Sequence, residues 1–252
     1  RTTVRTMYAS VREYLSELAE SGVDGLPVEE QGLEEQGQGS RVKDQGDGAS
    51  PALTAARTLA ELRELIGDCR RCGLSASRTN LVFGEGNQQA RLVFVGEAPG
   101  ADEDRQGQPF VGEAGGILTR LIEAMGLRRD QVYICNVLKC RPPANRNPHR
   151  DEITTCAPFL QQQLQLIKPE VIVALGTFAA QTLLENKEAI SRLRGQFHTW
   201  HGIPLMPTFH PAFLLRNKEQ KQHYWDVWHD MTLVLQKLGL PVPEKGRGKA
   251  TR

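Results

Sequence analysis

The sequence lacks any apolar run long enough to cross a membrane. Its longest mainly apolar run, residues 171–180, falls well short of the roughly 18 residues that a transmembrane helix needs. It also lacks an opening basic segment followed by an apolar one, the pattern of a secretory signal. Hydrophobic residues make up only 39% of the chain, below the roughly 45–50% of average globular proteins. We therefore expect a cytoplasmic protein, part of which does not pack into a core.

The shortage of apolar residues is concentrated near the start of the chain. Residues 27–50 contain five Gly, four Gln and six acidic residues, too polar a composition to offset the entropy of ordering. We predict a short helix and a disordered linker over residues 1–50, a folded domain over 51–240 and a basic flexible tail over 241–252. Residues 51–252 carry 26 basic and 20 acidic side chains, a net charge of +6 that is compatible with binding nucleic acid.

The folded region alternates apolar runs with helical patterns. Four runs predict buried strands: Leu92–Val95, Val132–Val137, Val171–Leu175 and Pro204–Phe209. Helices are predicted from near Thr54 and around residues 114–125, 151–167, 177–185 and 219–238. This alternation is typical of an α/β fold with a parallel sheet covered on both faces, in which ligands bind beyond the carboxyl ends of the strands. Three segments then meet at one rim: 96–104, 136–150 and 210–216.

The five cysteines all lie between residues 69 and 156, which argues against a disulfide scaffold. Cys69 and Cys72 form a C-x-x-C step. Cys140 and Cys156 are separated by fifteen residues, and the helix predicted over 151–167 could return Cys156 towards Cys140. Two thiol pairs from distant segments suit a four-thiolate site for zinc or an iron–sulfur cluster, and the spacing leaves the metal open. Cys135 lies inside an apolar strand and is expected to be a core residue.

Several motifs on the predicted rim carry polar or flexible residues. GEAPG follows the first strand, and its glycines allow close backbone approach to a ligand. PFVG places an aromatic before a helix, and Asn136 ends the second strand, where its amide can both donate and accept. Residues 139–150 are Pro-rich and basic, as in a loop that contacts phosphates. The segment TFHPAFLLR combines a histidine, apolar residues and an arginine, suited to unstacking a base.

Together, the cysteine framework, GEAPGADED, PFVGEAG, NVLKCRPPANRNP and HPAFLLR resemble the family 4, iron–sulfur uracil-DNA glycosylases. The match runs from about Cys69 to Asp230. The resemblance implies a three-layer αβα sandwich with a central four-stranded parallel sheet. It also implies a [4Fe-4S] cluster that organises the basic loop. Its ligands would be Cys69, Cys72, Cys140 and Cys156.

The resemblance also implies roles around a flipped uracil. Phe110 would stack on the base, Asn136 would bind its polar edge, and His210 would lie near O2 and stabilise the leaving anion. Leu214, with Phe213 as the alternative, would fill the vacated stack. The implied substrate-binding positions are Gly96, Ala98, Phe110, Asn136 and Leu214.

The resemblance leaves open which residue positions the attacking water. Other uracil glycosylase families place a water-activating Asp where this sequence has Ala98. Glu97, Glu103 and Asn145 are the candidates for positioning the water, in that order. A related branch traps uracil-DNA covalently through a histidine, and His149 lies in the corresponding region without that branch's surrounding signature.

The predicted function is therefore a monofunctional uracil-DNA glycosylase that leaves an abasic site for base excision repair. Its partner would be uracil-containing DNA, single- or double-stranded, with no membrane involved. The alternatives are a non-catalytic or covalently trapping uracil-DNA binding protein, and a nucleotide hydrolase whose fold is stabilised by a bound metal. We expect a monomer, with residues 1–50 available to a replication or repair partner.

Overall fold

The computed structural model describes residues 55–243, so the predictions for residues 1–50 and for most of the tail lie outside the described residues. The α-helices are α1 Leu59–Ile66, α2 Ala101–Gln106, α3 Glu113–Ala124, α4 Arg150–Ile167, α5 Thr177–Leu184, α6 Ile190–Leu193, α7 Pro211–Arg216 and α8 Lys221–Lys237. The strands are β1 Glu85–Gly86, β2 Leu92–Gly96, β3 Tyr133–Asn136, β4 Val171–Leu175, β5 His198–Trp200 and β6 Ile203–Thr208. Short 3₁₀ turns occupy Gly73–Ala76, Arg129–Gln131 and Pro143–Asn145.

The six strands form one sheet in the order β1-β3-β2-β4-β6-β5. The four predicted strands are its centre, β3-β2-β4-β6, and pair in parallel. Two short antiparallel strands, β1 and β5, extend the edges, so the sheet has six strands, two more than the sequence pattern indicated. Glu85–Gly86 contains no apolar run, which is why the sequence pattern does not reveal β1.

Helices cover both faces of the sheet. Alternate residues of β2 show this arrangement: Val93 and Val95 belong to one buried cluster, whereas Leu92 and Phe94 belong to a second. The first cluster includes α1, α4 and α5, and the second includes α3 and α8. Side chains alternate across a strand, so the two clusters lie on opposite faces of the sheet. The α/β prediction is confirmed.

The first helix differs from its prediction. It begins at Leu59 rather than near Thr54, because the Thr58 hydroxyl accepts a hydrogen bond from the Glu61 N–H and caps the helix there. Leu59, Leu62 and Ile66 are buried, whereas Leu65 is 42% exposed. No helix within residues 55–243 is long and apolar enough to span a membrane.

Candidate active site

A cleft of about 530 Å³ opens beyond the carboxyl ends of the parallel strands. The three predicted rim segments form its walls, together with the start of α5 after β4. Seven of the nine predicted catalytic and substrate-binding residues line it, and Gly96 and Leu214 do not. The seven are Glu97, Ala98, Glu103, Phe110, Asn136, Asn145 and His210. The topology therefore brings together residues that are more than one hundred positions apart in the sequence.

Asn136 carries a polar atom without a partner. Its side chain ends β3, is 1% exposed and lines the cleft. No hydrogen bond to its Oδ1 is formed by any residue in the described range. Gly96 lies beneath it, and a Cβ at that position would collide with Asn136 Oδ1 and the Phe110 ring. The glycine thus makes room for the amide and the aromatic ring side by side.

Phe110 occupies an unusual backbone conformation. Its φ of 53° lies in the left-handed region, which bulky residues rarely adopt. Gly115 makes this turn feasible, because a Cβ there would overlap the Phe110 carbonyl. The Phe110 ring is buried, and its centroid lies 5.7 Å from that of the His210 ring. The turn therefore presents a flat apolar face beside an imidazole.

Glu103 braces the two loops of this wall. Its Oε1 accepts hydrogen bonds from the N–H groups of Val111 and Gly112, each at 2.9 Å. Its Oε2 accepts a third from the Gly100 N–H at 3.1 Å. Both carboxylate oxygens are thus committed to backbone donors around the turn that holds Phe110. This arrangement favours a role in holding these loops over the water-positioning role predicted from the sequence.

His210 caps α7 and has a defined tautomer. Its Nδ1 accepts a hydrogen bond from the Ala212 N–H at 3.1 Å. A ring nitrogen that accepts carries no proton, so in the neutral ring the proton is on Nε2. Burial, reinforced by the nearby Arg216 charge, lowers the pKa of His210 to about 4. The ring is therefore neutral near pH 7 and retains a donor at Nε2.

Glu97 is the titratable carboxylate of the cleft. It follows β2, is half-buried, and lines the cleft. Burial raises its pKa to about 7, against a smaller lowering by Arg216. A carboxylate with a pKa near the working pH can accept a proton as a general base. Asn145, in contrast, is exposed, and its Oδ1 accepts a hydrogen bond from Arg141 at 2.8 Å.

Helix α7 presents Phe213 rather than Leu214 to the cleft. Leu214 is 3% exposed and packs in the core with α3 and α8, so its burial argues against the predicted wedge role. Ala212, Phe213 and Arg216 are the residues of α7 that line the cleft. Phe213 also stacks on Phe209 at 4.8 Å between ring centroids. The alternative aromatic is therefore the residue available for a wedge.

The four predicted ligand cysteines meet behind the cleft. Cys69, Cys72, Cys140 and Cys156 line one small cavity, whereas Cys135 is buried in β3 outside it. Within residues 55–243, no three His, Cys, Asp or Glu side chains are grouped closely enough to hold a single metal ion.

Donors surround the sulfur atoms of this cavity. Arg78 Nη1 lies 3.2 Å from Cys140 Sγ, and the Lys139 N–H lies 3.3 Å from Cys156 Sγ. Arg71 Nη1 contacts Cys69 Sγ at 3.3 Å. Such donors stabilise negative charge on sulfur. Four thiols at one cavity, three of them with a donor beside the sulfur, fit the donor set of an iron–sulfur cluster.

The loop between Cys140 and α4 is less available to phosphates than its composition indicates. Arg146 forms a two-pronged ion pair with the buried Glu152, at 2.6 and 2.9 Å. Lys139 is only 1% exposed, and its Nζ donates to the Asn136 carbonyl at 2.7 Å and to Gln163 Oε1 at 2.5 Å. Lys139 therefore joins the cysteine region to the strand end that carries Asn136. Arg150 remains exposed.

Sequence reasoning missed two groups of supporting residues. Gly176, at φ 87°, begins α5, and a Cβ there would press on the His210 side chain at 2.9 Å. Thr208, just before the Phe209–His210 step, donates to the buried Asp230 at 2.6 Å, which also accepts from Arg194. An isolated glycine or threonine carries no signal of such a role before the fold is known.

The sequence of this chain is similar to proteins of a known family. Residues 83–232 match the profile of the Uracil DNA glycosylase superfamily. A type-4 uracil-DNA glycosylase of Thermotoga maritima is 48% identical over 170 residues, 65% of this chain and 88% of that protein. One from Archaeoglobus fulgidus is 45% identical over 171 residues, 65% of this chain and 85% of that protein. A type-5 uracil-DNA glycosylase of Pyrobaculum aerophilum is 31% identical over 144 residues, 50% and 63% of the two chains.

The profile covers more than half of the chain, and the similarity to type-4 members exceeds the similarity to the type-5 member described above. The resemblance drawn from the motifs is confirmed: the chain belongs to the uracil DNA glycosylase superfamily, in its type-4 branch.

Proposed function

We propose that this protein is a monofunctional uracil-DNA glycosylase that hydrolyses the bond between uracil and deoxyribose and leaves an abasic site. The observation that carries the proposal is the buried Asn136 amide, whose Oδ1 lacks a partner among the described residues and lies in a cleft with Phe110 and His210. A buried polar atom without a partner costs free energy unless a ligand supplies the missing group. A flipped base supplies it.

The Asn136 amide matches the polar edge of uracil. Uracil presents an N3–H donor beside the O4 acceptor, so Asn136 Oδ1 would accept from N3 while Nδ2 donates to O4. Cytosine presents the reverse order, an acceptor beside an amino donor. Discrimination between uracil and cytosine therefore depends on holding the Asn136 amide in one orientation. The Phe110 ring supports the base by stacking, an interaction worth about 1–3 kcal/mol per base.

His210 supplies the main electrostatic contribution to bond cleavage. Breaking the glycosidic bond leaves negative charge on uracil, including O2. The Nε2–H that follows from the Ala212 hydrogen bond would donate to this oxygen. A fixed donor aimed at developing charge typically contributes about 3–4 kcal/mol. Because the ring is neutral, it donates a hydrogen bond without protonating the base.

Glu97 would position and deprotonate the attacking water. Ala98 removes the carboxylate that other families use, and Glu103 is bound to three backbone N–H groups. Among the candidates Glu97, Glu103 and Asn145, Glu97 is the remaining carboxylate, and its pKa is about 7. Its negative charge would also stabilise the positive sugar formed as uracil leaves. We propose no lyase step, since no lysine lines the cleft among residues 55–243.

Phe213 would hold the opened DNA. It lies on the cleft side of α7, four residues from the stacking partner Phe209. An aromatic side chain inserted between bases compensates for the stacking lost when one nucleotide leaves the helix. The exposed Arg216 on the same helix is suited to contact an adjacent phosphate.

The cysteine cavity would hold a [4Fe-4S] cluster through Cys69, Cys72, Cys140 and Cys156. When bound, the cluster would supply a covalent cross-link between the segment after α1, the loop after β3 and helix α4, rather than a reactive centre. Cys140 opens the loop that forms one wall of the cleft, so the cross-link fixes that wall. This role agrees with the separation of the two cavities.

Release of the base tests the proposal directly. The purified protein is incubated with an oligonucleotide carrying one uracil, and free bases are identified by mass spectrometry. We expect free uracil, and no cytosine or thymine from matched oligonucleotides. A bound but unchanged oligonucleotide would indicate a non-catalytic uracil binder. Activity only on free deoxynucleotides would instead support a nucleotide hydrolase and overturn the proposal.

A further inference from the structure

The Phe110 turn needs external support. A non-glycine residue at φ 53° is strained and persists only where surrounding groups hold it. Glu103 binds the N–H groups on the carboxyl side of the turn, at Val111 and Gly112. The carbonyl groups on the amino side need partners as well, since Pro109 and Phe110 are both buried. A single arginine from a distant segment provides them.

Arg129 binds both carbonyls of the turn. Its Nη2 donates to the Pro109 carbonyl at 2.8 Å, and its Nη1 donates to the Phe110 carbonyl at 3.1 Å. Nη1 also donates to Thr119 Oγ1 at 3.2 Å, which ties the guanidinium to α3. Glu85, at 3.3 Å, balances its charge. The Arg129 side chain is 22% exposed, so these bonds are shielded from solvent.

We propose that Arg129 is a positioning residue for uracil recognition: together with Glu103, it clamps the strained turn so that the Phe110 ring faces the base. This inference rests on the proposed glycosylase function. Arg129 does not touch the cleft itself, and it acts through Phe110 alone. The planar guanidinium, with several N–H donors in a fixed fork, can serve both carbonyls and Thr119 at once, which a lysine cannot.

A double-mutant cycle tests this coupling. The rate of uracil release is measured with enzyme in saturating excess over a single-stranded substrate, for wild type, Arg129→Ala, Phe110→Ala and the double variant. Arg128→Ala is the matched control: it removes the neighbouring positive charge, whose partner is the exposed Asp130, and makes no contact with the turn. Arg129→Lys serves if Arg129→Ala does not fold.

We expect Arg129→Ala to slow release by about 10- to 100-fold, as misplaced catalytic geometry does. In the Phe110→Ala background the same substitution should change the rate by less than about threefold, because the residue it positions is gone. Arg129→Lys should fall between wild type and Arg129→Ala, and Arg128→Ala should match wild type. General destabilisation would instead add to the effect of Phe110→Ala.

Equal rate losses in both backgrounds would overturn the proposal, as would an equal loss in Arg128→Ala. A second readout separates this failure from a failure of the proposed function. Amide hydrogen exchange at Val111 and Gly112 should accelerate in Arg129→Ala but not in Arg128→Ala. If the wild-type protein releases no uracil but exchange still accelerates in Arg129→Ala, the glycosylase function is refuted and the clamp is supported. Unchanged exchange would refute the clamp.

Discussion

Single polar atoms set the chemistry of this cleft. Asn136 Oδ1 has no partner among residues 55–243, and His210 keeps its proton on Nε2 because the Ala212 N–H occupies Nδ1. Burial keeps the histidine neutral and brings the Glu97 pKa to about 7. One cleft thus combines a neutral donor, a buried amide whose Oδ1 has no partner among the described residues, and a carboxylate able to take a proton near neutral pH.

Asn136→Asp should weaken uracil recognition. The carboxylate keeps an acceptor for uracil N3–H but loses the N–H donor for O4, and it adds charge to a buried position. Loss of a buried hydrogen bond costs about 1–3 kcal/mol, so kcat/KM for uracil release should fall by roughly 5- to 150-fold. Release rates from uracil and cytosine oligonucleotides, compared in parallel, measure the effect. Unchanged discrimination between the two bases would refute the role of Asn136.

Glu97→Gln should remove the main pH dependence of the reaction. The carboxylate must be ionised to accept a proton, so the wild-type rate should rise through pH 7 and level off above it. The glutamine variant should be slow and nearly independent of pH. His210, with a pKa of about 4, should contribute only below about pH 5. A variant that keeps the wild-type profile would show that another group activates the water.

The same substitution should raise stability at alkaline pH. The Glu97 pKa is raised from 4.5 to about 7 in the folded protein, so folding is favoured by the bound proton and this stability is lost as pH rises through 7. At pH 8, Glu97→Gln should therefore gain of order 1–3 kcal/mol over wild type, and at pH 4 almost nothing. Melting temperatures at both pH values check the sign.

At the scale of elements, the ends of four parallel strands assemble the site. Their apolar runs allowed all four to be predicted from the sequence, and with them the rim that carries Glu97, Asn136 and His210. Which face of a short helix turns inward could not be predicted. Phe213 and Leu214 are adjacent and both apolar, and only the packing of α7 against α3 buries Leu214. Arg129 likewise gave no signal, since its partners are backbone carbonyls of a distant turn.

Phe213 and Leu214 of α7 give opposite predictions. Phe213→Ala should slow uracil release from duplex DNA by about tenfold, affect single-stranded DNA less, and leave the melting temperature nearly unchanged. Leu214→Ala should destabilise the fold by about 2–5 kcal/mol, as for other buried leucines, without a selective effect on duplex DNA. Each variant is the control for the other. A duplex-selective defect in Leu214→Ala, with normal stability, would restore Leu214 as the wedge.

At the scale of the whole molecule, the cleft and the cysteine cavity are two sites that share a short connection. The cysteine cavity and the cleft are joined through Lys139, whose backbone faces Cys156 and whose side chain binds the Asn136 carbonyl. The family resemblance allowed the set of four cysteine ligands to be predicted, but not this link. A lysine in a Pro-rich, basic segment predicts a phosphate contact, and only the fold shows that Lys139 is buried.

Cys140→Ser should remove the cluster and destabilise the domain. Metal binding is coupled to folding, so loss of one ligand should lower the melting temperature. The purified variant should also lose the broad visible absorbance expected of the wild-type cluster. Cys135→Ala is the matched control, because Cys135 is buried but lies outside the cysteine cavity, and it should keep the absorbance. Zinc in the wild-type protein, without the absorbance band, would overturn the cluster assignment.

The most direct test of the proposed glycosylase function is strand cleavage of an end-labelled oligonucleotide that carries one uracil. After incubation with the protein, half of the sample is heated in alkali, and both halves are separated on a denaturing gel. We predict a cut at the uracil position only after alkali, and none in a cytosine control, as hydrolysis to an abasic site requires. An intact strand after alkali would contradict the account. A slowly migrating covalent complex would contradict it too, and would direct attention to His149.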